Sequence, residues 1–471
     1  MKVLFINPPS ENELIGNNPP LIEEERGYNP PLGLLYMAGY LLQHSNYEVE
    51  VLDTQVENLK YSALEKRIRK ISPDVVGITV MTFTLIDVMK TVEVIKKVNN
   101  EIVVVLGGPH ATIYPLETIN LPGVDFIVLG EGEETFFDLL KNFRDKQGLR
   151  NTPGIVFKSD GEIINTGQKP YIQNLDALPF PARYLTPYQK YNSVIAKRSP
   201  VTTMMTSRGC PNRCTFCYRH HMGKIFRARS AGNVVDEMEE CTKMGINEFL
   251  VYDDTFNISR QRVIEICDEI VRRNLKIGWD IRARVDTIDK KILEKLKEAN
   301  CERIHYGVES GSQEILNILK KDITQGQVKE TFKMTKDMGI STLAYFMLGC
   351  PGEKEIHIKE TIKMMKELDP DFVHVTIFTP FPKTPIYLEG LKNGLIEQDY
   401  WQEYSENPRS DFVPRHWDEN LSFKDLNKWI KRAYREFYIR PSYIKKRLGE
   451  LKSFGEFFRK AKAGLKIFNM K

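Results

Sequence analysis

Apolar residues in the first third of the chain come in short bursts. Val3–Ile6, Val49–Leu52, Val75–Ile78, Val103–Leu106 and Phe126–Leu129 are rich in Val, Ile and Leu. Runs this short, bounded by turn residues, predict strands. Between them, apolar positions recur at helical spacing near Leu32–His44, Ser62–Ile71, Leu85–Asn99 and Glu133–Gln147. That alternation predicts an α/β fold with a doubly wound parallel sheet over residues 1–150. Residues 151–198 lose the rhythm and gain Pro153, Pro170, Pro179, Pro181 and Pro187. They read as a linker, with a hairpin where Gly154–Phe157 and Glu162–Asn165 flank Ser159-Asp160-Gly161. The rhythm returns near Val201–Thr206, Glu248–Tyr252, Lys276–Ile281, Arg303–Val308, Ser341–Met347 and Phe372–Phe378, with helical spacing in the gaps. Six such units predict a partial (β/α) barrel over residues 199–380. Prolines 380, 382 and 385 then favour an extended segment, and 381–471 ends in helical, basic, aromatic sequence.

Composition narrows the class without deciding it. Hydrophobic residues make up 41% and charged residues 28%, ordinary for a folded soluble protein. A net charge of +4 is too small to argue for nucleic acid, and none is expected as a partner. Seven cysteines, three of them clustered, read as a reduced intracellular chain rather than a disulfide scaffold. Lys2 is followed at once by a strand, which does not read as a signal peptide. The expectation is a cytoplasmic protein, with any membrane contact peripheral. Residues 424–471 hold 15 Lys or Arg against 4 Asp or Glu, interleaved with Trp429, Tyr434, Phe437, Tyr438, Phe454, Phe457, Phe458 and Phe468. Such helices either meet an anionic membrane surface or cap the barrel with their aromatic face.

Candidate chemistry lies at strand ends. Ligands of a doubly wound sheet bind beyond its carboxyl edge. The loops there are Asn7-Pro8-Pro9, Thr79-Val80-Met81, Gly107-Gly108-Pro109-His110 and Gly130-Glu131-Gly132-Glu133. Their small residues allow a large flat ligand to approach the backbone. No G-x-G-x-x-G follows the first strand, which excludes the dinucleotide fingerprint. In the barrel half, Cys210-Pro-Asn-Arg-Cys214-Thr-Phe-Cys217 follows the first strand. Three thiolates at this spacing hold three irons of a [4Fe-4S] cluster and leave the fourth open. Phe216 is placed to shield it from water. A zinc site would need a fourth ligand, for which His220 and His221 are near enough. Cys241, Cys267 and Cys301 read as inert core thiols; Cys350 reads as a turn thiol or one facing substrate.

The cysteine stretch resembles the signature of the radical S-adenosylmethionine (SAM) superfamily. The Thr79 and Gly107-Gly108 pattern resembles the cobalamin-binding domain that accompanies one branch of it. The resemblance implies that Cys210, Cys214 and Cys217 bind the cluster and that SAM chelates the open iron. It further implies SAM contacts at Asp253 and Asp254 (methionine amino group), at Arg284 in preference to Arg282 (methionine carboxylate), at Glu309 (ribose) and at Gly349, Pro351 and Gly352 (adenine side). For cobalamin it implies Thr79, Gly107, Gly108, His110, Gly130 and Glu131. The D-x-H-x-x-G loop that supplies a lower cobalt ligand is missing from the sequence, which resembles the subgroup without a protein histidine on that face. The implied activity is methyl transfer from methylcobalamin to an unactivated carbon of a hydrophobic or lipid-like substrate. Flavodoxin or ferredoxin would supply electrons. A ring-forming cyclase with the same cofactors and a non-catalytic cobalamin sensor remain alternatives.

Overall fold

The computed structural model describes residues 1–14, 27–219 and 222–449. Seven strands form the first sheet: β1 (Lys2–Asn7), β2 (Glu48–Asp53), β3 (Val75–Thr79), β4 (Val103–Gly107), β5 (Phe126–Val128), β6 (Ile155–Ser159) and β7 (Glu162–Asn165), in the order 2-1-3-4-5-6-7. The first five are parallel. Alternate residues leave opposite faces of a strand, so Leu4 and Ile6 pack with Ile68, Ile78 and Leu85 on one side. Val3 and Phe5 pack with Leu35, Val105 and Phe136 on the other. Both faces are therefore sealed by helices, and the order reverses between β1 and β3, which opens a crevice above their carboxyl ends. The hairpin read as part of the linker instead belongs to this sheet: β6 pairs antiparallel with β5, and β7 with β6.

The second sheet contains β8 (Val201–Met204), β11 (Glu248–Val251), β12 (Gly278–Ala283), β13 (Cys301–Glu309), β14 (Ser341–Leu348) and β15 (Phe372–Ile377), all parallel and paired in chain order. A small antiparallel pair, β9 (Ser207–Arg208) and β10 (Arg227–Ala228), brackets the cysteine loop. This is the expected open half-barrel. Its outward face is apolar: Phe249, Val251, Trp279, Ile281, Ile304, Tyr306, Ala344, Phe346, Val373 and Val375 join one core with the surrounding helices. The alternate positions face the lumen, and polar side chains stand among them: Asp280, Arg282, Arg303, His305, Tyr345 and His374.

The helix Phe423–Tyr438 closes the β15 edge. It buries Leu426, Trp429, Ile430, Ala433, Tyr434 and Phe437 in the barrel core. The Tyr434 hydroxyl accepts from Val375 N (2.9 Å) and donates to Val375 O (3.2 Å). Tyr438 does the same for Val373, at 3.0 and 3.1 Å. Two hydroxyls thus satisfy an edge that would otherwise be open to pairing. The aromatic face of this helix is spent on the barrel and not on a membrane surface. Phe454, Phe457, Phe458 and Phe468 lie outside the described residues. Among the described residues no helix is long and apolar enough to cross a membrane.

Candidate functional site

The cysteine loop leaves the barrel directly after β9. Gly209 takes φ +83, and a Cβ there would lie 2.3 Å from Ile225 O, so the turn that launches Cys210 requires glycine. Cys214 is buried, Cys210 half-buried and Cys217 exposed. Displacement of water, then the charges of Asp254, Cys214 and Cys210, push the Cys217 thiol up to about 12. Burial also raises Cys214, opposed by Lys321 and Arg284. Cys214 and Cys217 therefore sense their neighbouring sulfurs, and without a cation these two favour the protonated form. A multiply charged iron cluster reverses that balance. Donors already point at them: Asn212 Nδ2 to Cys210 Sγ at 3.2 Å, and Arg284 Nη1 to Cys214 Sγ at 3.9 Å. Such bonds tune a cluster's potential. Among the described residues no three His, Cys, Asp or Glu side chains are drawn together as they would be around a single ion. His220 and His221, the candidates for a fourth zinc ligand, lie outside those residues. The donor set fits the cluster.

Around this loop the anticipated SAM contacts divide into free and committed groups. Asp253 is committed: wholly buried, its carboxylate accepts from Thr206 N and Oγ1 (both 2.6 Å) and from Ser207 N and Oγ (3.1 and 2.5 Å). It shapes the β8–β9 turn and has no capacity left for an ammonium. Asp254 is exposed; desolvation first and Asp253 beside it raise its carboxyl, while the Gly209 N–H lowers it. Arg284 forms a two-pronged pair with Asp286 (2.9 and 3.0 Å) and donates to Lys321 O (2.7 Å). Its remaining nitrogen faces Cys214. Glu309 is buried and pairs with Lys321 at 2.7 Å. It sits at φ +69, a left-handed conformation that costs a non-glycine residue about 1–3 kcal/mol. Gly349 and Gly352 both have positive φ, and Glu353 folds back to accept from Gly349 N (2.5 Å) and Cys350 N (3.1 Å). Cys350 is buried, as are Cys241, Cys267 and Cys301. Lys321 is the residue that sequence reasoning missed; it lies 5.9 Å from the Phe216 ring and opposes the burial that raises the Cys214 thiol.

The crevice of the first sheet shows a second cradle. A Cβ on Gly108, at φ +103, would lie 3.1 Å from both Thr79 Oγ1 and Val80 O. Val80 N bonds to Gly107 O (2.7 Å), which locks the two loops together. Met81 stands exposed beside them. These small, backbone-rich walls fit the edge of a corrin. His110 does not line them: it is fully buried, with Nδ1 3.0 Å from Thr82 Oγ1. Desolvation pushes its imidazole down to about 3, so it stays neutral. Glu131 is likewise no ligand surface. It is buried, accepts from Ile172 N (2.7 Å), and pairs with Arg208 (2.8 Å) and Arg227 (2.9 Å). Glu133 pairs with Arg208 at 2.6 Å; burial alone would raise its carboxyl, but Arg208 outweighs that and holds it low. Arg208 precedes Cys210 by two residues, and Glu131 follows Gly130 directly. The clamp therefore sets the crevice rim beside the cluster loop.

The chain matches the model of the B12 binding domain over residues 20–140 and that of the radical SAM superfamily over residues 204–392. It is 33% identical over 457 residues to an uncharacterized methyltransferase of Pyrococcus horikoshii, covering 96% of both chains. The chain belongs to the cobalamin-binding radical SAM family. Within it, the anaerobic magnesium-protoporphyrin IX monomethyl ester cyclase of Rubrivivax gelatinosus is 32% identical, covering 94% of this chain and 78% of that one. Among solved structures, the cobalamin-dependent radical enzyme OxsB, with aqua-cobalamin and SAM bound, superposes with a TM-score of 0.74 at 19% identity, covering 99% of this chain and 72% of the other. The methyltransferase TsrM from Kitasatospora setae, with cobalamin and a [4Fe-4S] cluster bound, reaches 0.70 at 20% identity, over 84% and 78%. This radical SAM enzyme thus uses a [4Fe-4S] cluster, SAM and cobalamin.

Proposed function

We propose that the enzyme transfers a methyl group to an unactivated carbon of a small organic substrate. The observation that carries this reading is the Glu131–Arg208 clamp, which sets the cobalamin crevice beside the cluster loop. Two relatives named as methyltransferases support it: the Pyrococcus protein, and the cytidylyl-2-hydroxyethylphosphonate methyltransferase of Streptomyces wedmorensis at 25% identity over 82% of this chain. When bound, the cluster supplies the electron for SAM cleavage and cobalamin carries the methyl group. The protein's own groups then have separable tasks. Cys210, Cys214 and Cys217 hold the metal, while Asn212 and Arg284 direct N–H groups at its sulfurs. Asp254 accepts the methionine ammonium in place of the committed Asp253. Glu309, held by Lys321, offers its second oxygen to the ribose. Thr79, Gly107, Gly108 and Gly130 form the corrin edge.

The cyclase remains the second reading, because its relatives match nearly the whole chain at comparable identity. A soluble low-potential donor, flavodoxin or ferredoxin, supplies electrons in either case, and both readings place the enzyme in the cytoplasm. The membrane reading now rests on the sequence beyond Gly449; flotation with anionic vesicles, with and without those residues, tests it.

The deciding experiment is anaerobic. Holoenzyme receives deuteromethyl-SAM and a strong reductant, and mass spectrometry follows S-adenosylhomocysteine, 5′-deoxyadenosine and label on the corrin. Both SAM products with labelled corrin are expected. Deoxyadenosine with an unlabelled corrin favours the cyclase. Neither product, from protein holding an intact cluster, overturns the enzyme reading.

A further inference from the structure

The lumen of the half-barrel is a costly place for charge, and most of its charges are paired. Asp280 lies 3.6 Å from Arg303 and 3.3 Å from His305 Nε2, and His305 Nδ1 meets Tyr345 OH at 3.0 Å. Arg282 is different. It is half-buried and, among the described residues, makes no ion pair at contact distance; the carboxylate that feels its charge is Asp254, near the cluster. The guanidinium instead sits over the Tyr252 ring, its central carbon 3.9 Å from the ring centre. Tyr252 is held in turn by Asn29 Nδ2 (3.2 Å). Strand register places Arg282 beside His305 and Tyr345 beside His374. The Tyr345–His374 rings are 5.5 Å apart. Burial raises the Tyr345 hydroxyl, and Arg282 partly opposes this. Arg284 sits two residues further along, at the cluster, and is saturated by Asp286 and Lys321 O.

A guanidinium held over an aromatic ring without a contact ion pair, and close to hydroxyl and imidazole groups, is a preformed receptor for a planar anion. We infer that the lumen layer of Tyr252, Arg282, His305, Tyr345 and His374 binds the methyl acceptor through a carboxylate or phosphate group on Arg282. This rests on the reading of the chain as a substrate-transforming radical enzyme. It narrows the expected substrate from a hydrophobic or lipid-like molecule to one that carries an acid group, and it assigns Arg282 to substrate and not to SAM.

Phenylglyoxal, which modifies accessible guanidinium groups, tests the inference on the anaerobic holoenzyme, with modification of the Arg282 peptide followed by mass spectrometry. Four probes are compared: benzoate, phenyl phosphate, neutral benzamide and SAM. Slowing of at least fivefold by benzoate or phenyl phosphate, with benzamide and SAM inert, supports it and tells carboxylate from phosphate. Protection by SAM alone, protection by no probe, or an Arg282 that never reacts overturns it. Equilibrium dialysis adds a second readout: Arg282→Gln should weaken binding of the protecting anion at least tenfold, and unchanged binding overturns the site. Deoxyadenosine formation by the unmodified enzyme in the same preparation reports separately on the radical reading.

Discussion

The two parallel sheets of this protein solve different problems with the same strand geometry. In the first, both faces carry Val, Leu, Ile and Phe, and helices seal both sides. Its chemistry is confined to the rim, in backbone and small residues such as Thr79 and Gly108. In the second, one face is equally apolar, but the other presents Asp280, Arg282, Arg303, His305, Tyr345 and His374 to an open lumen. Filling that lumen with aliphatic layers, as closed eight-stranded barrels do, would be more stable. The difference locates function: the first sheet is built to support a cofactor on its edge, the second to hold reactants within.

Five substitutions test this division, from the largest expected effect to the smallest. Cys214→Ala should reduce deoxyadenosine formation to background and lower bound iron, while cobalamin binding, followed by its absorbance, persists; loss of cobalamin as well would show that the two sites are not separable. Glu237→Gln removes a buried carboxylate shared by Arg183 (2.5 Å) and Arg229. Leaving two buried guanidinium groups without it should cost about 3–5 kcal/mol in urea unfolding. Leu106→Ala opens a cavity in the doubly sealed sheet and should cost about 2–5 kcal/mol.

The fourth is a pH effect. Burial raises the Glu353 carboxyl to about 7, against an ordinary 4.5, with the Gly349 and Cys350 N–H groups only partly opposing it. Between those values the folded chain holds a proton that the unfolded chain has released. The contribution is therefore full below pH 4.5 and is lost as pH rises to 7, by about 3 kcal/mol in all. Glu353→Gln should flatten that slope; an unchanged slope would assign it to another group. His110 acts in the opposite sense, since its depressed imidazole takes stability away as pH falls below 6.5. Last, Tyr345→Phe leaves His305 Nδ1 without its hydroxyl and should cost about 1 kcal/mol or less, with a much larger effect on turnover. A stability loss matching that of Leu106→Ala would mean that the lumen is core after all.

Much of this was legible in the sequence because it is local. The cysteine triad is a spacing, and strand–helix alternation is a period, so both survive without knowledge of the fold. What misled were charges whose partners lie far along the chain. Glu131 resembles a rim ligand until Arg208 and Arg227 arrive from the barrel. Asp253 and Asp254 are identical in type and adjacent, and only the β8–β9 turn decides which one is consumed. Lys321 carries no motif; it sits in the turn after a short helix, and its importance comes from the Glu309 and Cys214 it meets in space. The hairpin was visible as a hairpin, but its pairing with β5 depends on an edge that composition does not reveal.

The tyrosine cap on β15 also bears on the order of synthesis. Tyr434 and Tyr438 lie some sixty residues beyond the strand they seal. A nascent chain extended only to Ile377 already contains the whole half-barrel, yet shows one bare row of amide and carbonyl groups. Until the closing helix leaves the ribosome, that row is available to any neighbouring strand, so a segment made later acts as the barrel's own chaperone.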